Sequence, residues 1–160
     1  MKVYLGTDHR GFELKEEVKI WLAENNIAWV DVGPDEYVKT DDYVDYASDV
    51  ARRVSQVIGY GHEDTRGIVI CGSGVGVDVA ANKIKGIRCG LGFSEEQVRA
   101  ARKDDDINML ALASDYTDDK KAKQLIKIFL ETPFSNEERH IRRINKIKKI
   151  ENDENKWLLT

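Results

Sequence analysis

This sequence has few cysteines and no extended apolar run. Its 160 residues include two cysteines, Cys71 and Cys89, at a spacing that fits neither a metal site nor a disulfide framework, so we expect reduced thiols and no bound metal. No segment approaches the roughly 20 consecutive apolar residues that a membrane-spanning helix needs. The pattern of a first strand begins almost at Met1, which predicts that no signal peptide is present. We therefore expect a cytoplasmic protein without a membrane anchor.

The charge of the chain is mildly acidic, with a formal net charge of −4, and gives no general reason to expect a nucleic-acid partner. With 41% hydrophobic residues and no repeats or linkers, the chain has the composition of one ordinary domain with a real core. We place that domain at residues 1–150, including a terminal helix over 136–150. Residues 151–160 form a C-terminal tail, whose Trp157, Leu158 and Leu159 we expect to pack on a neighbouring surface.

Short apolar runs alternate with segments of helical periodicity along the chain. The runs at 2–6, 28–32, 67–71, 87–93 and 109–113 predict five strands. The segments between them carry apolar residues at intervals of three and four, which is typical of amphipathic helices. This βαβ alternation predicts an α/β fold, a doubly wound, Rossmann-like three-layer sandwich with a five-stranded parallel sheet.

Two capping boxes mark predicted helix starts. Ser94-Glu95-Glu96-Gln97 opens the helix after the fourth strand, and Ser135-Asn136-Glu137-Glu138 opens the terminal helix. Arg139 and Arg143 are four residues apart in the terminal helix, so both guanidinium groups lie on one face, suited to gripping phosphate or carboxylate. A solvated basic face is the alternative. Nucleic-acid binding is a weaker one, because no aromatic stacking platform accompanies the charge.

The third predicted strand leads Cys71 into a glycine-rich turn, Cys71-Gly72-Ser73-Gly74-Val75-Gly76. Glycine lets the backbone approach a ligand closely, and unpaired N–H groups at such a turn bind anions. A thiol there could act as a thiolate base or nucleophile beside an oxyanion pocket. The alternative is a buried small hydrophobe, which is what we predict for Cys89. A dinucleotide site is disfavoured, because the turn lacks the full G-x-G-x-x-G spacing and follows the third strand.

Polar residues also follow the carboxyl ends of other predicted strands. Asp8-His9-Arg10 comes after the first strand, and Ser94-Glu95 comes after the fourth. Ligands of doubly wound sheets gather outside these strand ends, so we expect both groups to converge with Cys71 on one crevice. A loop position favours a ligand-binding role for His9, whose imidazole can donate a hydrogen bond or hold phosphate. His62, in a polar loop, is expected to be solvated.

The chain carries a set of motifs that are specific in combination: Gly6-Thr7-Asp8-His9-Arg10-Gly11-Phe12, Asp42-Tyr43 with Tyr46-Ala47, the Cys71 turn, Ala80-Ala81-Asn82-Lys83, Gly86-Ile87-Arg88, and Arg139-His140 with Arg143. With them the chain, from Met1 to about Ile150, resembles the family of type B ribose-5-phosphate isomerases and galactose-6-phosphate isomerase subunits. The resemblance implies an open α/β sheet and a homodimer, or a tetramer of such dimers, with active sites at the dimer interface. That interface would supply a partner surface for the terminal helix.

What the resemblance implies chemically is metal-independent aldose–ketose isomerisation of a phosphorylated sugar, through a cis-enediolate and without a cofactor. Cys71 would move the proton beside the carbonyl, while backbone N–H groups hold the developing oxyanion. Those N–H groups belong to the turn that contains Gly72, Gly74, Val75 and Gly76. The other implied roles are ring opening for Ser73, sugar contacts for Asp8 and Tyr43, and phosphate contacts for His9, Arg139 and Arg143.

The chain departs from the family pattern at three acidic positions. Asp104 stands where the family has its ring-opening histidine, so the resemblance assigns proton donation to Asp104. Asp105 stands where the family has a substrate-contacting asparagine, and Asp115 where many members place an arginine on the phosphate. These carboxylates leave open a different or open-chain sugar, or a non-catalytic subunit that binds a sugar phosphate without turnover.

Overall fold

A five-stranded parallel sheet forms the centre of the molecule, a computed structural model that describes residues 1–59 and 64–153. Its strands are β1 (Lys2–Thr7), β2 (Ala28–Asp31), β3 (Thr65–Cys71), β4 (Cys89–Leu91) and β5 (Met109–Ala113). Their spatial order is β2-β1-β3-β5-β4, and all four pairings are parallel. The predicted doubly wound α/β fold is confirmed.

Helices cover both faces of this sheet. Those described are α1 (Phe12–Glu24), α2 (Tyr43–Gly59), α3 (Val75–Ala81), α4 (Glu95–Asp105), α5 (Asp119–Glu131) and α6 (Glu138–Asp153). Helices α1, α4 and α5 share one apolar cluster with the sheet, and α2 and α3 share a second cluster on the other face. None of the helices in the described ranges is long and apolar enough to cross a bilayer.

The alternation of side chains along β3 divides its residues between the two faces. Ile68 and Ile70 belong to the cluster with α1, α4 and α5, whereas Val69 and Cys71 belong to the cluster with α2 and α3. All four are buried, and burying a valine or isoleucine side chain stabilises a fold by about 1.5–3 kcal/mol. Cys71 therefore ends a buried central strand on the face that α2 and α3 cover.

Two elements differ from their predicted bounds. The fourth strand, predicted over 87–93, is only Cys89–Leu91, because β4 is an edge strand that pairs with β5 alone. The terminal helix begins at Glu138, because Asn136 adopts a left-handed conformation with φ of 55°. The capping box predicted at Ser135 is therefore wrong. Its hydroxyl accepts from the N–H of Glu137, before the helix begins.

The other predicted helix start is confirmed. The Ser94 side chain accepts a hydrogen bond from the N–H of Gln97, and the Gln97 side chain accepts one from the N–H of Phe93. This satisfies N–H groups that have no partner within the helix. His62 and the tail residues Trp157, Leu158 and Leu159 lie outside the described residues.

Candidate active site

The turn after β1 is fixed by the buried side chain of Asp8. Its Oδ1 accepts hydrogen bonds from the N–H of Arg10 at 3.1 Å and of Gly11 at 3.4 Å, which caps the short 3₁₀ turn His9–Gly11. Burial raises the pKa of Asp8, although these two bonds and the charge of His9 oppose the shift. The Thr7 hydroxyl donates to the carbonyl of Ile70 at 2.9 Å and so ties this turn to β3.

His9 is held by a carboxylate from another loop. Asp41 Oδ1 accepts from the His9 backbone N–H at 2.9 Å and lies 2.7 Å from its ring Nδ1. The Asp41 side chain is only 5% exposed, whereas that of His9 is 26% exposed. Since Nδ1 faces Asp41, the other ring nitrogen, Nε2, is left for a ligand. The sequence analysis missed Asp41, because nothing local links two residues 32 positions apart.

The glycine-rich turn presents Cys71 at the carboxyl end of β3. Gly74 has φ of 72°, and a Cβ there would stand 2.5 Å from the Leu91 side chain, so the turn needs glycine at this position. The ring of Tyr43, at the start of α2, lies so close to Gly76 that a Cβ at 76 would be 2.7 Å from it. Ser73 is exposed, and its hydroxyl accepts from the N–H of Val75 at 3.4 Å.

The carboxyl end of β5 joins this group. The Ser114 hydroxyl donates to the carbonyls of Arg10 at 2.9 Å and of Cys71 at 3.2 Å, and the N–H of Asp115 donates to the carbonyl of Gly72 at 3.0 Å. The structure therefore gathers the loops that follow β1, β3 and β5 at the carboxyl ends of these central strands. We call this region the carboxyl-end site. It contains Asp8, His9, Tyr43, Cys71, Gly72, Ser73, Gly74, Val75 and Gly76.

The expectation that Ser94 and Glu95 would converge on this crevice is wrong. They follow β4, which lies at the edge of the sheet beyond β5. The Ser94 hydroxyl is used to cap α4. The contribution expected from the fourth strand comes instead from Ser114 and Asp115, because β5 lies beside β3.

Four further predicted site residues lie at the opposite end of the sheet. Helix α4 runs back to the amino end of β5, so Asp104 and Asp105 lie far from Cys71 within this chain. Asp104 Oδ1 is 3.6 Å from Nδ1 of the buried His140, near the start of α6. We call Asp104, Asp105, Arg139 and Arg143 the amino-end cluster. Both of its arginines are exposed, and Arg139 pairs with Glu137 at 2.9 Å.

Cys89, the second cysteine, has a structural environment. Cys89 is half-buried and packs against the apolar cluster that α2 and α3 share with the sheet. Burial raises the pKa of its thiol well above the usual value, and the neighbouring Asp78 carboxylate adds to that shift. Cys89 is thus a poor source of thiolate. In the described part of the chain, no group of three or more His, Cys, Asp or Glu side chains is placed to hold a metal ion.

A thiol at the end of a central parallel strand, beside a glycine turn and a carboxylate-held histidine, places groups that can transfer a proton and bind an anion at the sheet end where α/β proteins bind their ligands. The chain matches the Ribose/Galactose Isomerase family over residues 3–147. It belongs to that family. It is therefore a sugar-phosphate aldose–ketose isomerase.

Individual relatives agree with this assignment. The ribose-5-phosphate isomerase B of Mycolicibacterium paratuberculosis is 35% identical over 91% of this chain and 88% of its own length. YwlF of Bacillus subtilis is 40% identical over 94% of this chain and 97% of its own length, and its name assigns it provisionally as a sugar phosphate isomerase. A crystal structure of Mycoplasma genitalium ribose-5-phosphate isomerase B with bound ribulose-5-phosphate superposes with a TM-score of 0.87 at 36% identity, covering 95% of this chain and 97% of that one.

Proposed function

We propose that this enzyme interconverts ribose 5-phosphate and ribulose 5-phosphate through a cis-enediolate, with Cys71 as the base and without a metal ion. The observation that carries the proposal is the position of Cys71, which is 5% exposed at the end of β3 and directly precedes the glycine turn. The relatives named above support the choice of sugar.

The proton transfer requires one base and one oxyanion pocket. The Cys71 thiolate removes the proton from C2 of the open-chain aldose, and the electron pair of that C–H bond forms the C1–C2 double bond of the enediolate. A proton then passes from the C2 hydroxyl to the oxygen on C1, which leaves the negative charge on the C2 oxygen. That oxygen forms the C2 carbonyl while the electron pair of the C1–C2 double bond takes the proton back from the Cys71 thiol at C1, which completes the ketose and regenerates the thiolate. Backbone N–H groups of the turn from Gly72 to Gly76 stabilise the oxygen that gains charge. Ser73, exposed at the rim of the turn, helps to open the ring.

Sugar and phosphate are bound by groups around Cys71. Asp8 and Tyr43 contact the sugar hydroxyls, since the Asp8 turn is tied to β3 and the Tyr43 ring lies on Gly76. His9 contacts the phosphate through Nε2, because Asp41 holds the other ring nitrogen. These groups are preorganised by contacts within one chain, which lowers the entropic cost of holding the substrate.

The amino-end cluster belongs to a second half of the site. It cannot reach Cys71 of its own chain, because the two regions lie at opposite ends of the sheet. A homodimer, alone or paired into a tetramer, resolves this if the cluster of one chain completes the carboxyl-end site of its partner. Arg139 and Arg143 then bind the phosphate, Asp105 contacts the sugar, and Asp104 donates the proton for ring opening. Exposed apolar residues on α3 and α6, including Val75, Val79 and Ile141, are suited to burial in such an interface.

Hydrogen exchange tests the role of Cys71. The protein is incubated with ribose 5-phosphate in heavy water, and deuterium incorporation and ribulose 5-phosphate formation are followed together. We expect Cys71→Ala to lose about a thousandfold in both rates. The matched control, Cys89→Ala, should keep wild-type rates, since Cys89 is a structural thiol. Undiminished exchange in Cys71→Ala would show that another group is the base.

A second candidate function rests on the three carboxylates Asp104, Asp105 and Asp115. Negative charge near an anion site favours another sugar, an open-chain substrate or a chain that binds without turnover. The same assay with other phosphorylated and free aldoses separates these readings. Exchange with a different aldose would identify a different substrate, whereas binding of ribose 5-phosphate without exchange would favour a non-catalytic subunit.

A further inference from the structure

The guanidinium group of Arg10 lies directly on the backbone next to Cys71. A Cβ at Gly72 would stand 2.5 Å from Arg10 Nε and 2.7 Å from Arg10 Cζ. Glycine at position 72 is therefore what allows this approach. The same Cβ would be 2.9 Å from Asp115 Oδ2, which forms an ion pair with Arg10. A cation thus sits one residue beyond the proposed base.

Arg10 is fixed in this position along its whole length. Its backbone N–H donates to Asp8 Oδ1, and its carbonyl accepts from the Ser114 hydroxyl. The guanidinium donates to Asp115, whose own N–H donates to the carbonyl of Gly72. The Arg10 side chain nevertheless remains 56% exposed. The structure therefore holds the charge firmly while leaving it accessible at the mouth of the site.

His9 and Arg10 form a pair of anchored side chains on one short turn. Each is held by a carboxylate from a different loop, His9 by Asp41 and Arg10 by Asp115. The planar guanidinium can donate two parallel hydrogen bonds to a phosphate, which gives geometric selection as well as charge. The Arg10 side chain is 56% exposed despite its ion pair with Asp115, so a phosphate oxygen can approach the guanidinium.

We propose that Arg10 is a specificity-determining residue that binds the phosphate of the substrate together with His9, and that Asp115 is the positioning residue for its guanidinium. This proposal rests on the proposed function, since it names a contact to the same sugar phosphate. It also gives Asp115 a place in the site. The negative charge of Asp115 is paired with Arg10, and this ion pair holds the guanidinium where it can contact the phosphate.

Two measurements on the same variants test this role. The first is the equilibrium affinity for inorganic phosphate by titration calorimetry, and the second is kcat and KM with ribose 5-phosphate. We expect Arg10→Gln to raise both the phosphate Kd and KM about tenfold while kcat changes by no more than about threefold. Arg10→Lys, which keeps the charge but loses the planar fork, should fall between the wild type and Arg10→Gln.

The matched control is Arg53→Gln on α2. It removes an arginine of similar exposure, 47%, that also pairs with an aspartate, Asp49. This variant should bind phosphate as the wild type does. An unchanged phosphate Kd in Arg10→Gln would overturn the proposal. Because the phosphate titration needs no turnover, failure of the wild type to isomerise ribose 5-phosphate would refute the proposed substrate and leave the test of Arg10 intact.

Discussion

The carboxyl-end site and the amino-end cluster differ in how their charged groups are held. In the carboxyl-end site, His9 is gripped twice by Asp41, whose side chain is 5% exposed. In the amino-end cluster, Arg139 is 59% exposed and pairs with Glu137, itself 51% exposed. The first region is organised by its own chain. The second presents long cationic side chains outward, as expected of a surface that acts on a partner.

His140, which lies next to the amino-end cluster, is buried, unlike the residues of that cluster. Its side chain is 2% exposed and lies 2.8 Å from the Ser135 hydroxyl, which fixes the ring under the start of α6. It therefore places Asp104 and the arginines of α6 relative to one another, although those residues stay exposed or half-buried. The cluster therefore has a buried base and exposed cationic ends that a substrate or a partner chain can contact.

The largest effect is expected when the two arginines of the amino-end cluster are removed. Arg139→Gln with Arg143→Gln should lower kcat/KM about a thousandfold, because each lost charged hydrogen bond to phosphate costs about 2 kcal/mol. The free energy of unfolding should barely change, since both side chains are exposed. Steady-state kinetics and chemical denaturation measure the two effects.

The control for that variant is Arg142→Gln, which removes another exposed arginine of α6. We expect its kcat/KM to stay within about twofold of the wild type. Equal losses in the two proteins would mean that α6 acts through its overall charge. Wild-type activity in the double variant would make the basic face of α6 a merely solvated one.

The carboxyl-end site depends on buried contacts, so breaking one of them should lower the free energy of unfolding. Lys15 is fully buried, and its Nζ donates to Asp31 at 2.8 Å and to the carbonyl of Pro34 at 2.7 Å, at the start of the loop that leads to Asp41. Asp31→Asn removes the nearer and less exposed of the two carboxylates that pair with this ammonium, leaving only Glu16 at 3.4 Å, and should lower the free energy of unfolding by about 3 kcal/mol. Asp49→Asn, at an exposed ion pair on α2, should cost less than about 1 kcal/mol.

The pH dependence of that effect follows from Asp31. Burial alone would raise the pKa of Asp31, but hydrogen bonds from Lys15, Lys19 and the Gly33 N–H outweigh it and lower the pKa. A lowered pKa in the folded state stabilises the protein fully above the unfolded value of about 3.9, and this contribution is lost as pH falls through the folded value. The difference between wild type and Asp31→Asn should therefore shrink below about pH 4. Denaturation at several pH values measures it, and a difference that grows in acid would refute the assignment.

A smaller effect sharpens the role of Asp41. Asp41→Ala removes both hydrogen bonds to His9, so we expect KM for the sugar phosphate to rise about tenfold with little change in kcat. Asp41→Asn keeps an acceptor oxygen and should lose no more than about threefold. Asp35→Ala changes an exposed aspartate of the same loop and should be neutral. If Asp41→Ala lowered kcat and left KM unchanged, His9 would act in the chemistry and not in phosphate binding.

Much of the fold could be predicted from local patterns. The five strands, the Cys71 turn and the Ser94 cap depend on adjacent residues, which is why periodicity and capping chemistry identified them. Ser94 was misassigned to the crevice, because the sequence does not reveal that β5 lies between β3 and β4. The predicted start of α6 was two residues early, because Asn136 adopts a left-handed conformation and Ser135 accepts from the N–H of Glu137, before the helix begins.

The contacts that organise the site could not be predicted in the same way. His9 and Asp41 are 32 residues apart, and Arg10 and Asp115 are 105 residues apart, so no local spacing links either pair. The separation of Asp104 from Cys71 follows from the direction of α4, which returns the chain to the amino ends of the strands. A motif that combines residues from both ends of a sheet can form one site only across two chains.

Complementation between two inactive variants tests this account most directly. Cys71→Ala lacks the proposed base, whereas Arg139→Gln with Arg143→Gln lacks the arginines proposed to bind the phosphate. After the two proteins are mixed, dissociated and reassociated, about half of the dimers should be hybrids that hold one intact site of two, restoring about a quarter of wild-type activity. A mixture that stays as inactive as its components would contradict a site shared between chains.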